Sequence, residues 1–208
     1  VLDGNIVSSG SAKNNGDAGD GGAITITGSN AATITVDGLI TSTGGANTGT
    51  GKSGAGGAIT FETAGVNLIN LESTTITSAG GSNNDPGAAD VKAGGKVWLK
   101  SKVMLIGGAS AINTGTLTAG EIHFDSTLDG GQALTLTAGT GNIDFDLAVG
   151  GSSALGLVTI NEAASVTVDG AFKASEFIQA KSGTGTFTLG AGDLLTAETG
   201  VVTIDSAT

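Results

Sequence analysis

A short phrase that begins with glycine recurs along this 208-residue chain and limits what the chain can fold into. Gly-Gly-Ala-Ile-Thr stands at 21–25 and returns letter for letter at 56–60. Looser copies are Gly-Gly-Lys-Val-Trp at 94–98 and Gly-Glu-Ile-His-Phe at 120–124. Each copy opens a stretch in which apolar and polar residues alternate. Such repetition predicts stacked structural units, because one unit could not bury its apolar face alone.

The alternation predicts short β-strands, because a period of two places the apolar side chains on one face of a strand. The sequence has 38 glycines and 3% aromatic residues. This composition suits thin layers of short strands better than a globular core of large side chains. The segment Ala171 to Lys181 lacks a steady helical stripe, and we interpret it as strands around a bend. The clearest predicted strands are 24–27, 33–36, 59–61, 122–124, 134–137, 143–146, 158–160, 166–168, 187–189 and 202–204.

A second, longer repeat organises the first half of the chain around glycine-rich insertions. Residues 3–10 align with residues 37–44, residues 75–81 repeat the tail of this phrase, and an insertion follows each of the three. The three insertions are 11–20, 46–55 and 82–93. The phrases Thr-Leu-Thr-Ala-Gly at 116–120 and 135–139 mark a shorter spacing of roughly twenty residues in the second half.

We therefore predict a single β-solenoid segment over residues 1–208. Coils with long loop insertions occupy 1–106, and shorter regular coils occupy 107–208. A coil of this length with two or three short strands is typical of a parallel β-helix. Roughly eight coils, at about 4.8 Å for each, would give a rod about 40 Å long. The insertions are expected at one corner of the stack, where loops on a rigid scaffold can carry recognition.

The charge of the chain argues against two classes of partner. The formal net charge is −11, from 19 acidic residues against 8 lysines and no arginine, whereas nucleic-acid binding needs a basic stripe. The longest apolar run, Val103 to Ile106, is far shorter than the roughly 20 residues that span a bilayer. We therefore expect neither nucleic-acid binding nor membrane insertion. The absence of cysteine excludes a disulfide scaffold.

The second half of the chain carries phrases that resemble a known class of bacterial repeats. They are Gly-Thr-Gly-Asn-Ile-Asp-Phe-Asp at 139–146, Val-Gly-Gly at 149–151, Leu-Val-Thr-Ile-Asn at 157–161, Val-Thr-Val-Asp-Gly-Ala-Phe at 166–172 and Gly-Thr-Gly-Thr-Phe-Thr at 183–188. This phrasing is similar to the passenger repeats of large surface proteins of the filamentous-haemagglutinin and autotransporter-adhesin type. The resemblance covers most of the chain and is strongest from about residue 116.

The resemblance implies an all-β, right-handed parallel β-helix that is exported through the outer membrane and has an adhesive or structural role. It places the protein outside the cell or on the bacterial cell surface. The secretion module of such proteins is not recognisable here and the chain starts at Val1, so we expect an internal segment of a longer protein. No polar cap is recognisable at either end, which predicts contact with flanking coils of a longer chain or with other copies of itself.

Catalysis is one alternative, because some parallel β-helices cleave acidic polysaccharides. Such chemistry needs clustered carboxylates and a proton acceptor. Asp144 and Asp146 lie on one strand face, Asp125 and Asp129 are expected about one coil away, and His123 points outward. Because the chain has one histidine and no arginine, we predict that it is not an enzyme. Asp144 and Asp146 remain the catalytic candidates of the alternative.

Metal binding is a second alternative. Asp17 and Asp20 lie in a glycine–aspartate turn of the first insertion that is similar to the turns of calcium-binding β-rolls. Those rolls need tandem copies, however, and this turn occurs once. Asp85 and Asp90 in the third insertion are similarly isolated. We favour a plain flexible loop at 14–22 and expect no cofactor, with calcium as the alternative.

Trp98 is the candidate partner-binding residue, together with Lys96 and Lys100 on either side. Lys92 and Lys102 complete the basic cluster. The alternation points Trp98 outward, where an indole beside ammonium groups can stack on a sugar ring or contact another protein. Cell-surface glycans are therefore candidate partners. Alternatively, the lysines only offset the acidic field around them.

From these observations we predict a structural or adhesive segment of a bacterial extracellular fibre or surface protein. One alternative is a filament subunit that stacks coil on coil through uncapped ends. The other is a carbohydrate-active β-helix enzyme that acts on an anionic polysaccharide.

Overall fold

The protein is all-β in the part of the chain that the structure describes. The computed structural model describes residues 1–29, 33–65, 67–84, 92–180, 186–190 and 195–204. These residues form 21 strands and no helix. It follows that none of them belongs to a helical segment able to span a bilayer.

The strands are short, and most have two to five residues. They are β1 (Leu2–Asp3), β2 (Ile6–Val7), β3 (Lys13–Asn15), β4 (Ile24–Gly28), β5 (Ile34–Thr41), β6 (Asn47–Thr50), β7 (Ile59–Thr63), β8 (Leu68–Thr77), β9 (Val97–Leu99), β10 (Lys102–Ile106), β11 (Ser110–Asn113), β12 (Ile122–Phe124), β13 (Leu128–Asp129), β14 (Leu134–Thr137), β15 (Asn142–Phe145), β16 (Leu155–Glu162), β17 (Ser165–Val168), β18 (Phe172–Gln179), β19 (Thr186–Leu189), β20 (Leu195–Ala197) and β21 (Val202–Ile204).

The strand pairs of the described residues are all parallel. The first sheet has twelve strands, and its main path runs β1-β5-β8-β11-β14-β16-β18-β20. The second sheet runs β19-β17-β15-β12-β9-β7-β4, and β3 pairs with β6 in a small third sheet. Each strand pairs with strands from other repeats, which confirms the predicted all-β, solenoid-like stack of parallel strands.

Similar apolar residues stack on one another along the inner face of the second sheet. Every member of one such column is at most 8% exposed. Because the register is continuous, the residues between these positions all lie on the outer face of the sheet. The column consists of Ile24, Ile59, Val97, Ile122, Ile143 and Val166.

Phenylalanine fills the core of the second half of the chain. Five of the six phenylalanines form a continuous series of ring contacts. The rings of Phe124 and Phe145 are stacked with their centroids 5.0 Å apart. Phe145 meets Phe172 edge-on at 5.5 Å, and the series continues through Phe177 to Phe187. These aromatic contacts supply large buried area in a core that is otherwise aliphatic.

The recurring glycine phrase lies where the chain enters the second sheet, and it packs against buried hydroxyl groups. The Ser42 hydroxyl donates to the carbonyl of Gly22 at 2.7 Å and accepts from the backbone N–H of Gly57 at 3.1 Å. A Cβ on Gly57 would lie 2.5 Å from the Gly22 carbonyl oxygen. This contact explains why position 57 needs glycine.

The two legs of the first insertion, and those of the second, are joined by backbone hydrogen bonds at the corner of the stack. Gly19 N–H donates to the Ser11 carbonyl at 2.9 Å, and Gly45 N–H donates to the Gly19 carbonyl at 2.8 Å. Gly54 N–H continues the series to the Gly45 carbonyl at 2.9 Å. The legs of successive insertions therefore form one glycine-lined column, which we call the glycine corner (Gly10, Gly19, Gly44, Gly45, Gly54 and Gly81).

The outer parts of the insertions are also paired. β3 of the first insertion pairs with β6 of the second, and Asn47 forms a parallel bridge to Asn83 of the third. Asn47 is fully buried, and its side-chain amide donates to the carbonyl of Gly16 at 2.7 Å. Residues 14 and 15 of the loop expected at 14–22 therefore belong to a small sheet, whereas residues 16–22 lie outside the strands.

Two details of the sequence repeat are resolved by the strand register. The similar phrases at 116–120 and 135–139 are not equivalent, because Leu136 is buried and pairs with Ile112 whereas Leu117 is 64% exposed. The described part of the segment predicted as strands around a bend, 171–180, contains β18, whose first half pairs with β20 and whose second half pairs with β21. Its burial pattern changes at Ser175 and Glu176, in agreement with the predicted bend.

Candidate functional site

The outer face of the second sheet carries several of the residues that the sequence singled out. Trp98 on β9, His123 on β12 and Asp144 on β15 are direct neighbours in the register. Each lies between two buried residues of its own strand, so its side chain is on the outer face. Along the rest of this column the outward residues are threonines, and these three residues are the exception.

Trp98 is engaged on its ring face and on its edge. The Nζ atoms of Lys96 and Lys100 lie over the indole, 4.2 Å and 4.3 Å from the ring centroid. The indole Nε1–H donates to Oδ1 of Asp125. Lys100 also pairs with Glu62 on the adjacent strand, at 3.2 Å. Trp98, Lys96 and Lys100 therefore form one contact group, whereas Lys102 begins β10 in the first sheet.

His123 is the centre of a group of acidic residues. Its Nδ1 atom lies 2.8 Å from Oε1 of Glu121. Its Nε2 atom lies 3.0 Å from Oδ1 of Asp146 and 3.2 Å from Oδ1 of Asp125. We call Glu121, His123, Asp125, Asp144 and Asp146 the His123 cluster. The side chain of His123 is 20% exposed, so the imidazole is mostly covered by these neighbours.

Lys96 joins this cluster to Trp98. Its Nζ atom lies 3.2 Å from Oε2 of Glu121 and 3.2 Å from Nδ1 of His123. One ammonium group therefore contacts the indole face, a carboxylate and the imidazole together. The partner-surface candidates and the catalytic candidates, which were predicted as separate sites, lie in one patch.

The charges of the cluster perturb one another. Burial alone would lower the pKa of His123, but hydrogen bonds to Asp146 and Glu121 outweigh it, and the pKa is raised above 6.5. Burial raises the pKa of Asp144, and the shared hydrogen bond with Glu121 raises it further. Burial would also raise the pKa of Glu121, but hydrogen bonds from His123 and Lys96 lower it overall. The patch therefore favours a charged Glu121 and a protonated His123.

Glu121 belongs to this site although sequence reasoning did not select it. It precedes His123 by two residues and Asp125 by four, so strand alternation alone would place all three on one face. Asp129, in contrast, was expected near Asp144 and Asp146. It is 6% exposed at the end of β13 in the first sheet, where its carboxylate accepts the backbone N–H of Ser152 at 2.7 Å.

The calcium candidates make contacts within the insertions. Oδ1 of Asp17 accepts the backbone N–H of Lys52 at 3.0 Å. Oδ1 of Asp20 accepts the backbone N–H of Ala55 at 2.7 Å. Each carboxylate therefore binds the first insertion to the second. Asp85 and Asp90 lie outside the described residues.

A cleft of about 380 Å³ lies beside the third insertion. Its lining includes Gly80, Ser82, Lys92, Asn113 and Leu117. The lining is mostly small residues and backbone, with Leu117 as its large apolar side chain. Lys92 therefore belongs to this cleft and not to the Trp98 group.

The chain has no significant match among protein-family models, curated proteins or solved structures. The outer-face patch can stack on a ligand through Trp98, attract anions through Lys96 and Lys100, exchange protons through His123 or bind a cation through its carboxylates.

Proposed function

We propose that this chain is a non-catalytic structural or adhesive segment of a bacterial extracellular fibre or cell-surface protein. In this proposal it forms a right-handed β-helix of about eight coils. The observation that supports it most is the unbroken stack of parallel strands, with eight strands along the main path of the first sheet. A stack in which each repeat contacts its neighbours makes a rigid, elongated scaffold that can present surfaces at a distance. The right-handed sense of the β-helix is what the resemblance to adhesin repeats implies.

The outer-face patch is the best candidate for the adhesive surface. Trp98 offers an aromatic ring, and Lys96 and Lys100 hold two ammonium groups within 4.3 Å of the ring centroid. A sugar that stacks on this ring must displace the two ammonium groups from the ring face. A sugar with a carboxylate or sulfate group would then give the displaced ammonium groups an anionic partner. This arrangement therefore favours an anionic cell-surface glycan as the partner.

Binding of the labelled chain to immobilised glycans tests the adhesive role. We expect binding to sulfated or carboxylated glycans, weakened at least about tenfold by Trp98→Ala, because aromatic anchors carry much of the energy of such contacts. Leu117→Ala is the matched control, since Leu117 is 64% exposed on a different surface. Equal binding by wild type and Trp98→Ala would contradict the proposal.

The same glycans also test the enzyme alternative. The observation in its favour is that Asp144 and Asp146 lie beside His123, with a raised pKa for Asp144. Cleavage of a glycan by wild type, abolished by replacing both aspartates with alanine, would overturn the non-catalytic proposal. An intact glycan after prolonged incubation supports it.

The filament alternative is favoured by the outermost strands. Among the described residues, β4 and β19 are the edge strands of the second sheet, and each pairs on one side only. Val202 and Ile204 near one end, and Val1 and Val7 near the other, are at least 41% exposed. Parallel edges with apolar neighbours can pair with similar edges of another copy or of flanking coils.

Negative-stain microscopy at increasing protein concentration distinguishes these forms. For an isolated segment we expect elongated particles about 40 Å long, whose length does not depend on concentration. Rods that lengthen with concentration would replace the segment proposal with the filament alternative. Flat or branched aggregates would contradict both.

A further inference from the structure

We propose that His123, Asp125 and Asp146 form a binding site for a divalent transition metal of the zinc type. The ligand atoms would be Nε2 of His123 and one carboxylate oxygen from each aspartate. All three atoms lie within 4.8 Å of one another. This inference goes beyond the structural and adhesive role, because it assigns the cluster a ligand of its own.

The distances between these atoms suit a small metal ion. Nε2 of His123 lies 3.0 Å from Oδ1 of Asp146 and 3.2 Å from Oδ1 of Asp125. Zinc bonds of about 2.0–2.2 Å put neighbouring ligand atoms of a tetrahedron about 3.3–3.6 Å apart. The two contacts of His123 would reach this spacing with movements of a few tenths of an ångström, and the two aspartate oxygens lie within 4.8 Å of each other. Three protein ligands also leave a fourth position for water or a partner's side chain.

Residues beside the ligands hold them in orientation, as residues outside the ligand set do in known metal sites. Oε1 of Glu121 lies 2.8 Å from Nδ1 of His123. A carboxylate there accepts a hydrogen bond from Nδ1–H, which leaves the lone pair of Nε2 free to face the metal. On the other side, the indole N–H of Trp98 donates to Asp125 and fixes that carboxylate. Two of the three ligands are therefore held in place by residues outside the ligand set.

The Nδ1 side of the imidazole is a poorer place for a metal. Glu121, His123 and Asp144 also bring three donor atoms together. However, the Lys96 ammonium lies 3.2 Å from Nδ1 and 3.2 Å from Oε2 of Glu121. A dication there would meet a positive charge at close range. The Nε2 side has two carboxylates facing it and is the better site.

The donor set favours zinc over calcium. Calcium takes six to eight oxygen ligands, whereas an imidazole nitrogen with two carboxylates suits zinc, cobalt or nickel. Two carboxylates and a neutral imidazole also balance the charge of a dication. This site is thus distinct in chemistry from the calcium alternative at Asp17 and Asp20.

Metal at this site would join neighbouring repeats. His123 lies on β12 and Asp125 directly after that strand. Asp146 directly follows β15, the adjacent strand of the second sheet. A ligand that binds only the folded chain stabilises it. At a zinc concentration about one hundred times Kd, we expect Tm to rise by about 5 °C or more.

Calorimetric titration of the chelator-treated chain with zinc chloride tests the site. At about pH 8, above the ordinary pKa of histidine, we expect one zinc ion per chain. His123→Ala should abolish binding, and Glu121→Gln should weaken it about 10–100-fold, because Glu121 only orients the imidazole. Asp169→Asn is the matched control, since Asp169 is an exposed aspartate just after the next strand, β17, and should leave binding unchanged.

Cobalt gives a spectroscopic check. Binding of cobalt with one nitrogen ligand should produce a visible absorption band that His123→Ala removes. Far-UV circular dichroism of each variant in chelator verifies that it is folded. No zinc binding by wild type, equal zinc binding by folded His123→Ala, or calcium binding as tight as zinc binding would each overturn the proposal.

Discussion

Replacing Phe145 with alanine is expected to lower the free energy of unfolding by about 3–5 kcal/mol. Phe145 is 1% exposed and lies in the middle of the phenylalanine series. Its ring stacks on Phe124 at 5.0 Å and meets the ring of Phe172 at 5.5 Å, so its removal leaves a cavity between two repeats. Urea unfolding followed by circular dichroism measures the change.

Leu157→Ala is the matched control for this prediction. Leu157 is also a large apolar residue of the second half, but it is 37% exposed. We expect it to cost well under half of the Phe145→Ala effect, because most of the cavity term is absent. An equal loss of unfolding free energy in the two variants would mean that the phenylalanine series does not stabilise the core.

Gly54→Ala is expected to lower the free energy of unfolding by about 3 kcal/mol or more, or to prevent folding of the first half of the chain. A Cβ on Gly54 would lie 1.8 Å from the carbonyl oxygen of Gly19 and 2.8 Å from the backbone nitrogen of Gly45. Both atoms belong to backbone, so no side-chain rotation relieves the clash. Accommodation would require the legs of two insertions to separate and to break the hydrogen bond from Gly54 N–H to the Gly45 carbonyl.

Gly131→Ala separates this effect from the general cost of replacing glycine. A Cβ on Gly131 would have no heavy atom within 4 Å, and its backbone is outside the left-handed region. We expect a change within about 0.5 kcal/mol for this variant. If Gly54→Ala proved equally mild, the close contact at the glycine corner would be wrong.

The fold was largely readable from the sequence because its physical cause is local. Alternation of apolar and polar residues determines which face of each strand is buried, and the repeated glycine phrase determines where the strands begin. Stacking of Ile24 on Ile59 follows directly from two identical phrases. The similar phrases at 116–120 and 135–139 mark the shorter spacing without being equivalent in the register, because Leu117 lies in an exposed bend and Leu136 is buried in β14.

The residues of the candidate site could be predicted from the sequence one by one, but their proximity could not. Trp98, His123 and Asp144 are neighbours because their strands pair, but 25 residues separate the first two and 21 separate the last two (98 to 123, 123 to 144). Unequal spacing of this kind hides a column of side chains until the register is known. Glu121 could have been found, since the order Glu121, His123, Asp125 follows the strand period.

The glycine corner separates positions whose side chains can vary from positions that must remain glycine. Its backbone contacts leave no space for side chains, whereas none of the described residues of the insertions belongs to the hydrophobic core. Sequence changes at exposed positions beyond the corner, such as Asn14 and Thr48, would alter what the stack displays without changing that core. Such an arrangement allows surface variation to accumulate in rows on one edge of an otherwise invariant support.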